Sequence, residues 1–254
     1  MTLSYQHVIT RALAAGLVAG VLLAVYTVTI TERTLDQAIA LEEGRAAVHD
    51  ESQPAAAEAP GPTFSRRAQV GGGATATVVF AVAMSALFAT VLARIRHRLV
   101  GWTEFGRVVW LAAVSFGAVA LIPAVKYPAN PPGVGDPATV QQRSLQYLLL
   151  VVLAIALAVG LTRLSGWLRS RLGGPTRVMS VAAATVVGYG LLLLVLPGSP
   201  DTIDPAVPAQ LVWDFRLRSL GGLALLWAAI GIGLGWGLER AVATNTTDPA
   251  LAGT

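Results

Sequence analysis

Long apolar runs alternate with short breaks rich in arginine or proline along almost the whole chain. Six runs stand out: Ala12–Ile30, Ala68–Leu92, Val108–Val125, Leu145–Thr162, Val178–Leu196 and Leu217–Leu238. Each is close to the roughly 20 residues that a helix needs to cross a hydrocarbon core. None shows the alternating polarity of a barrel strand. Lipid offers no water to bond a free N–H or C=O, so runs of this kind are stable only when the backbone bonds within the run. The expected fold class is all-α: a bundle of six transmembrane helices forming one membrane domain over residues 1–254.

The breaks differ from one another. Thr31–Arg67 is the long one, with seven acids (Glu32, Asp36, Glu42, Glu43, Asp50, Glu51 and Glu58) against four arginines. Its first part, as far as Glu43, has a composition that extends the first helix beyond the membrane. Its second part, Glu51–Pro62, is a Pro/Ala linker with too little apolar material to pack. The tail 243–254 is polar and is expected to be loose. The first apolar run exceeds the usual 7–15-residue core of a secretory signal. No convincing small-x-small cleavage site follows it, so it is taken as an uncleaved first span.

Charge then assigns sides. The loops Arg94–Arg107 and Arg163–Arg177 hold eight arginines between them and one acid, Glu104. The loops Lys126–Arg143 and Pro197–Arg216 are poorer in bases, and the second leans acidic through Asp201, Asp204 and Asp214. The positive-inside rule puts the arginine-rich loops in the cytoplasm, and both termini with them. The segment 31–67 is then extracytoplasmic.

Composition narrows the function classes. Hydrophobic residues make up 54% and charged residues 13% of the chain, and mean hydropathy is +0.64. Soluble domains carry about twice that charge fraction. The pI near 10.0 comes from bases in short loops between spans, so it carries topology and gives no nucleic-acid patch. There is no cysteine, which excludes disulfides, thiolate metal sites and cysteine nucleophiles. Enzyme templates such as G-x-S-x-G, H-E-x-x-H and the P-loop are missing, and no span holds a histidine to act as a base. No Asp, Glu, Lys or His lies near the centre of a span, which argues against a proton relay contained in this chain.

Small residues mark close helix approaches. Gly16 and Gly20 have four-residue spacing on the first span, as do Gly231/Gly235 and Gly233/Gly237 on the last. Such faces pack helices within one chain, join copies of a homo-oligomer or line a pore. The span hydroxyls Thr77, Ser85, Thr90, Ser115 and Thr185 are expected to bond carbonyls of their own helices. A faint parallel repeat is visible, with Arg143-Ser144-Leu145 and Arg218-Ser219-Leu220 each following a Pro-rich loop.

The outer loops carry the most specialised residues. One runs Tyr127-Pro128-Ala129-Asn130-Pro131-Pro132-Gly133-Val134-Gly135-Asp136-Pro137, the other from Pro197 to Arg216. Proline stiffens them by fixing φ. Two readings of Asp136, Asp201, Asp204 and Asp214 stay open. Carboxylates on a stiff loop, with Asn130 and Tyr127, offer oxygen ligands at an entrance for a divalent cation. The same aspartates also start turns and cap helices. Of three histidines, His7 and His97 sit among arginines. His49, in His49-Asp50-Glu51, is the remaining candidate metal ligand.

At these loops the chain resembles a known family. Tyr127-Pro128-Ala129-Asn130-Pro131-Pro132-Gly133, then Asp136 and Arg143, then Pro197, Pro208-Ala209-Gln210-Leu211 and Phe215, are similar to the predicted cobalt transporter subunit CbtA. The opening Ala/Gly/Leu-rich helix and its long outer loop match as well. The resemblance implies cobalt import across a bacterial inner (plasma) membrane, linked to cobalamin synthesis. It implies cobalt(II) as the transported ion, with no permanently bound cofactor, and a small membrane partner subunit, CbtB. Many members have a histidine-enriched first outer loop, where this chain keeps only His49. The alternatives are a non-transporting membrane scaffold or assembly partner and, more remotely, a membrane enzyme.

Overall fold

The computed structural model describes residues 4–50, 65–99 and 103–246, with the backbone alone at 45–50, 98, 245 and 246. The Pro/Ala linker at 51–62 and the tail beyond 246 lie outside the described residues. Eight α-helices follow one another: α1 (Tyr5–Tyr26), α2 (Glu32–Asp50), α3 (Arg66–Ile95), α4 (Glu104–Phe116), α5 (Ile122–Lys126), α6 (Val140–Leu168), α7 (Gly174–Val195) and α8 (Ala209–Thr246). Among the described residues there is no strand. α1 continues into α2 through a wide π-helical turn at Thr27–Thr31, and α4 into α5 through another at Gly117–Leu121. Among the described residues six helical stretches are long and apolar enough to cross a membrane: Tyr5–Gly44, Arg66–Ile95, Glu104–Lys126, Pro137–Leu168, Gly174–Val195 and Ala209–Thr244. The six apolar runs each form the heart of one of them.

Helix ends follow local chemistry. Ser4 and Ser65 accept backbone bonds from His7 and Ala68 at the starts of α1 and α3, satisfying donors that a helix leaves open. The sixth apolar run begins at Leu217, but α8 begins at Ala209, directly after Pro208. α8 also runs on to Thr246, into the polar stretch expected to be loose.

The chain falls into two compact units, Met1–Ala113 with Gly221–Thr254, and Val114–Leu220. In the first, α1 lies antiparallel along α3. The Tyr5 hydroxyl meets the Thr90 hydroxyl at one end (3.2 Å), and Arg66 pairs with Glu32 and Asp36 at the other. Buried positions on α1 are Val8, Ala12, Ala15, Gly16, Ala19, Gly20 and Leu23, one stripe of a 3.6-residue helix made mostly of small residues. Lipid tails are as apolar as leucine, so association rests on close van der Waals contact, which small residues permit.

The contact at Gly16 is close. A Cβ there would lie 2.7 Å from the Ser85 Cβ and 2.9 Å from the Val82 Cα, and one at Gly20 would lie 2.8 Å from the Val78 Cα. The four glycines of α8 divide between two neighbours. A Cβ on Gly231 or Gly235 would meet Ala112 or Phe105 of α4 at 2.7 and 3.0 Å, whereas Gly233 and Gly237 face Ala15 and Arg11 of α1 at 3.4 and 3.5 Å. Phe88 and Trp227 meet edge-on in the same unit, centroids 5.9 Å apart.

In the second unit, proline breaks the helix ladder. Pro123 has no N–H to give to the carbonyl of Val119, four residues back. The Tyr147 hydroxyl of α6 donates to that carbonyl instead, at 3.2 Å. Thr77, Thr90 and Thr185 bond carbonyls of their own helices. Ser85 differs: its hydroxyl crosses to the carbonyl of Ala12 on α1, at 2.7 Å and fully buried.

Candidate functional site

The two proline-rich loops of the second unit, 127–139 and 196–208, meet around one carboxylate. Asp201 is almost fully enclosed, its side chain 2% exposed. Oδ1 accepts the backbone N–H of Asp136 at 2.8 Å. Oδ2 accepts from the Asn130 side-chain amide and, at 2.6 Å, from the Arg143 guanidinium. Thr139 Oγ1 is 3.5 Å from Oδ1, but its proton goes to the carbonyl of Asp136 at 2.8 Å. Charge-assisted bonds of this kind are about twice as strong as neutral ones.

Asn130 extends the network. Its carbonyl oxygen accepts from Arg216 at 2.8 Å while its amide donates to Asp201, so both ends of the carboxamide are assigned by their partners. Arg216 also reaches the carbonyl of Ala129 at 3.3 Å. A chain Arg216–Asn130–Asp201–Arg143 thus ties the start of α8, both loops and the start of α6, with one negative charge between two positive ones.

Glycine makes the approach possible. Gly135 has φ +106°, and a Cβ on it would fall 2.6 Å from Asp201 Oδ2. Both the backbone conformation and the space require glycine there. Two further struts brace this end: the Tyr127 hydroxyl joins the loops by donating to the carbonyl of Pro197 at 2.8 Å, and Lys126 Nζ at the end of α5 donates to the carbonyl of Leu193 on α7 at 2.7 Å. Burial pushes the Tyr127 phenol pKa up, which keeps it a donor.

The other aspartates make local bonds. Asp136 Oδ1 accepts from the N–H of Ala138, and Asp204 Oδ1 from the N–H of Ala206, both at 2.8 Å, as turn-starting aspartates do. Asp214 accepts from Gln210 one turn before it on α8, at 2.7 Å. Of the residues singled out as an entrance, the structure therefore joins Asn130, Asp201 and the backbone of Asp136 in one network, with Tyr127 as a neighbouring strut. Asp204 starts its own turn, and Asp214 bonds along its own helix. The His49 side chain lies outside the described residues, and among those described no three His, Cys, Asp or Glu side chains group as a metal site.

Sequence reasoning gave no site role to Arg216, Thr139, Gly135, Lys126 or Tyr147, and met Arg143 only in a faint repeat, as a loop boundary and through a resemblance. One signal was available. Two glycines, 133 and 135, stand two apart in a loop otherwise stiffened by proline, which points to positive φ (68° and 106° here) and a close approach.

Six apolar spans and polar loops locked at one end of their hairpins define a multi-pass α-helical membrane protein. A family profile described as probable cobalt transporter subunit (CbtA) matches residues 5–239, nearly the whole chain, and the chain belongs to this family. No curated protein and no solved structure matches it.

Proposed function

We propose that the chain is a subunit of a cobalt(II) uptake system in a bacterial plasma membrane, supplying cobalamin synthesis together with a small CbtB-like membrane subunit. The observation that carries this reading is the family match across 5–239, coextensive with the six spans. Both termini face the cytoplasm on the arginine count of the loops. The loops around Asp201 then face outward and frame the entrance, with Asp136, Asp204 and Asp214 as peripheral oxygens and Asp201 holding the frame. A transport site must release its ion, and a frame of this kind shapes an opening without trapping a cation.

Cobalt accumulation in cells carrying the chain and its partner tests the reading. Deleting the chain should abolish uptake above background, and Asp201→Ala should lower it at equal protein level. Uptake that persists without the chain would end the reading. The engagement of all four aspartates by protein donors favours a second reading, a non-transporting scaffold. In that case loss of the chain would deplete the partner from the membrane, and restoring the partner alone would restore uptake.

A further inference from the structure

We propose that the first unit binds a phosphate-bearing anion, the phosphodiester of an anionic phospholipid, in the groove between the start of α1 and the last turn of α3. The groove has a volume of about 380 Å³ and is lined by Tyr5, Val8, Thr90, Ala93, Arg94 and Arg96. Its charge is unbalanced. Glu104 serves two guanidiniums, Arg96 at 3.0 Å and Arg107 at 2.6 Å. Arg94 forms no ion pair with a described carboxylate. Glu239, the other described acid at this end, accepts the backbone N–H of Phe105 at 2.9 Å.

The chemistry of the lining fits a phosphate group. A guanidinium is a planar fork of donors that matches phosphate oxygens in pairs. The Tyr5 and Thr90 hydroxyls, 3.2 Å apart, add polar oxygens, Thr90 standing one turn before Arg94 on the same face of α3, with the Thr90 proton given to the carbonyl of Ala86 at 2.9 Å. Val8 and Ala93 add apolar lining, and the groove lies at the ends of two helices long and apolar enough to span a membrane. Leu13 and Leu17 on α1 and Leu87 and Val91 on α3 are exposed further along, where acyl chains can lie. A free inorganic phosphate would meet the arginines but leave that apolar surface unused, which favours the lipid.

Purified full-length protein in a neutral detergent provides the test. Short-chain phosphatidylglycerol should raise the thermal midpoint, and phosphatidylcholine should not. Arg94→Gln should weaken the phosphatidylglycerol response at least ~10-fold in concentration, the loss expected for one charge-assisted contact. Arg163→Gln, in the other basic loop, should respond like the parent. An Arg94→Gln response equal to the parent's would overturn the site, and equal weakening by Arg163→Gln would reduce it to general surface charge. A rise with inorganic phosphate at the same concentrations would remove the lipid from the proposal.

Discussion

The two units hold together by different means. In the first, α1 and α3 approach so closely that Gly16 and Gly20 have no room for a methyl group, and a side-chain bond inside the contact, Ser85 to Ala12, is buried with it. In the second, α7 has no buried residue and α6 has only Leu150, Ala154 and Leu168. Its polar loops are tied at one end around Asp201, beside a helix-to-helix bond from Tyr189 of α7 to the carbonyl of Ala154 on α6. The difference follows from the solvent. Lipid gives helices no hydrophobic reason to associate, so they either fit closely or are tied where water and charge permit strong polar bonds.

Removing the tie should have the largest effect. Asp201→Ala leaves Arg143 without its counter-charge and should destabilise the second unit by about 3 kcal/mol. Hydrogen exchange should show loops 127–139 and 196–208 losing protection while α1 and α3 keep theirs. Loops that stay protected would mean that helix contacts hold this unit after all. Attacking the fit comes next. Gly16→Ala forces α1 from α3 and should lower stability by about 2 kcal/mol. Gly233→Ala, where a Cβ meets only ordinary contacts, should stay within about 0.5 kcal/mol. Equal thermal midpoints for these two variants would remove close packing as the cause.

A mixed case follows. Gly135→Ala puts a methyl group against the Asp201 carboxylate and adds a left-handed backbone penalty of about 1–2 kcal/mol. It should reproduce the exchange pattern of Asp201→Ala in weaker form. The smallest effect should come from Tyr147→Phe, which strands the Val119 carbonyl freed by Pro123 and should cost about 1 kcal/mol. Thermal unfolding in detergent should show a clear but modest shift. No shift would mean that Val119 finds another donor.

How much of this was written in the sequence depends on distance along the chain. The spans were legible because membrane burial acts on runs of neighbours, so Ala68–Leu92 lies wholly within α3 and Val108–Val125 within Glu104–Lys126. The glycine spacings on α1 and α8 were legible too, as periodicity within one helix. The division of the α8 glycines between α4 and α1 was not, since it depends on which helix arrives at each face. The turn bonds of Asp136 and Asp204 reach two residues and were foreseeable. The bond from Arg143 to Asp201 spans 58 residues, and nothing local in either loop selects that partner. The early start of α8 escaped because Ala209–Arg216 carries Gln210, Asp214 and Arg216 and lacks the uniform apolarity of a span.

Asn130 is an adaptor between unlike electrical fittings. On one side a guanidinium presents donors, on the other a carboxylate presents acceptors, and a carboxamide is the small side-chain group that carries an acceptor at one tip and a donor at the other. Aspartate at this position would set two anions face to face. Leucine, of nearly the same size, would leave both neighbours unanswered. The position is therefore closed to replacements that preserve shape alone, and the polarity of the loop cluster, positive toward α8 and negative toward the Asp201 carboxylate, is fixed by the orientation of one amide.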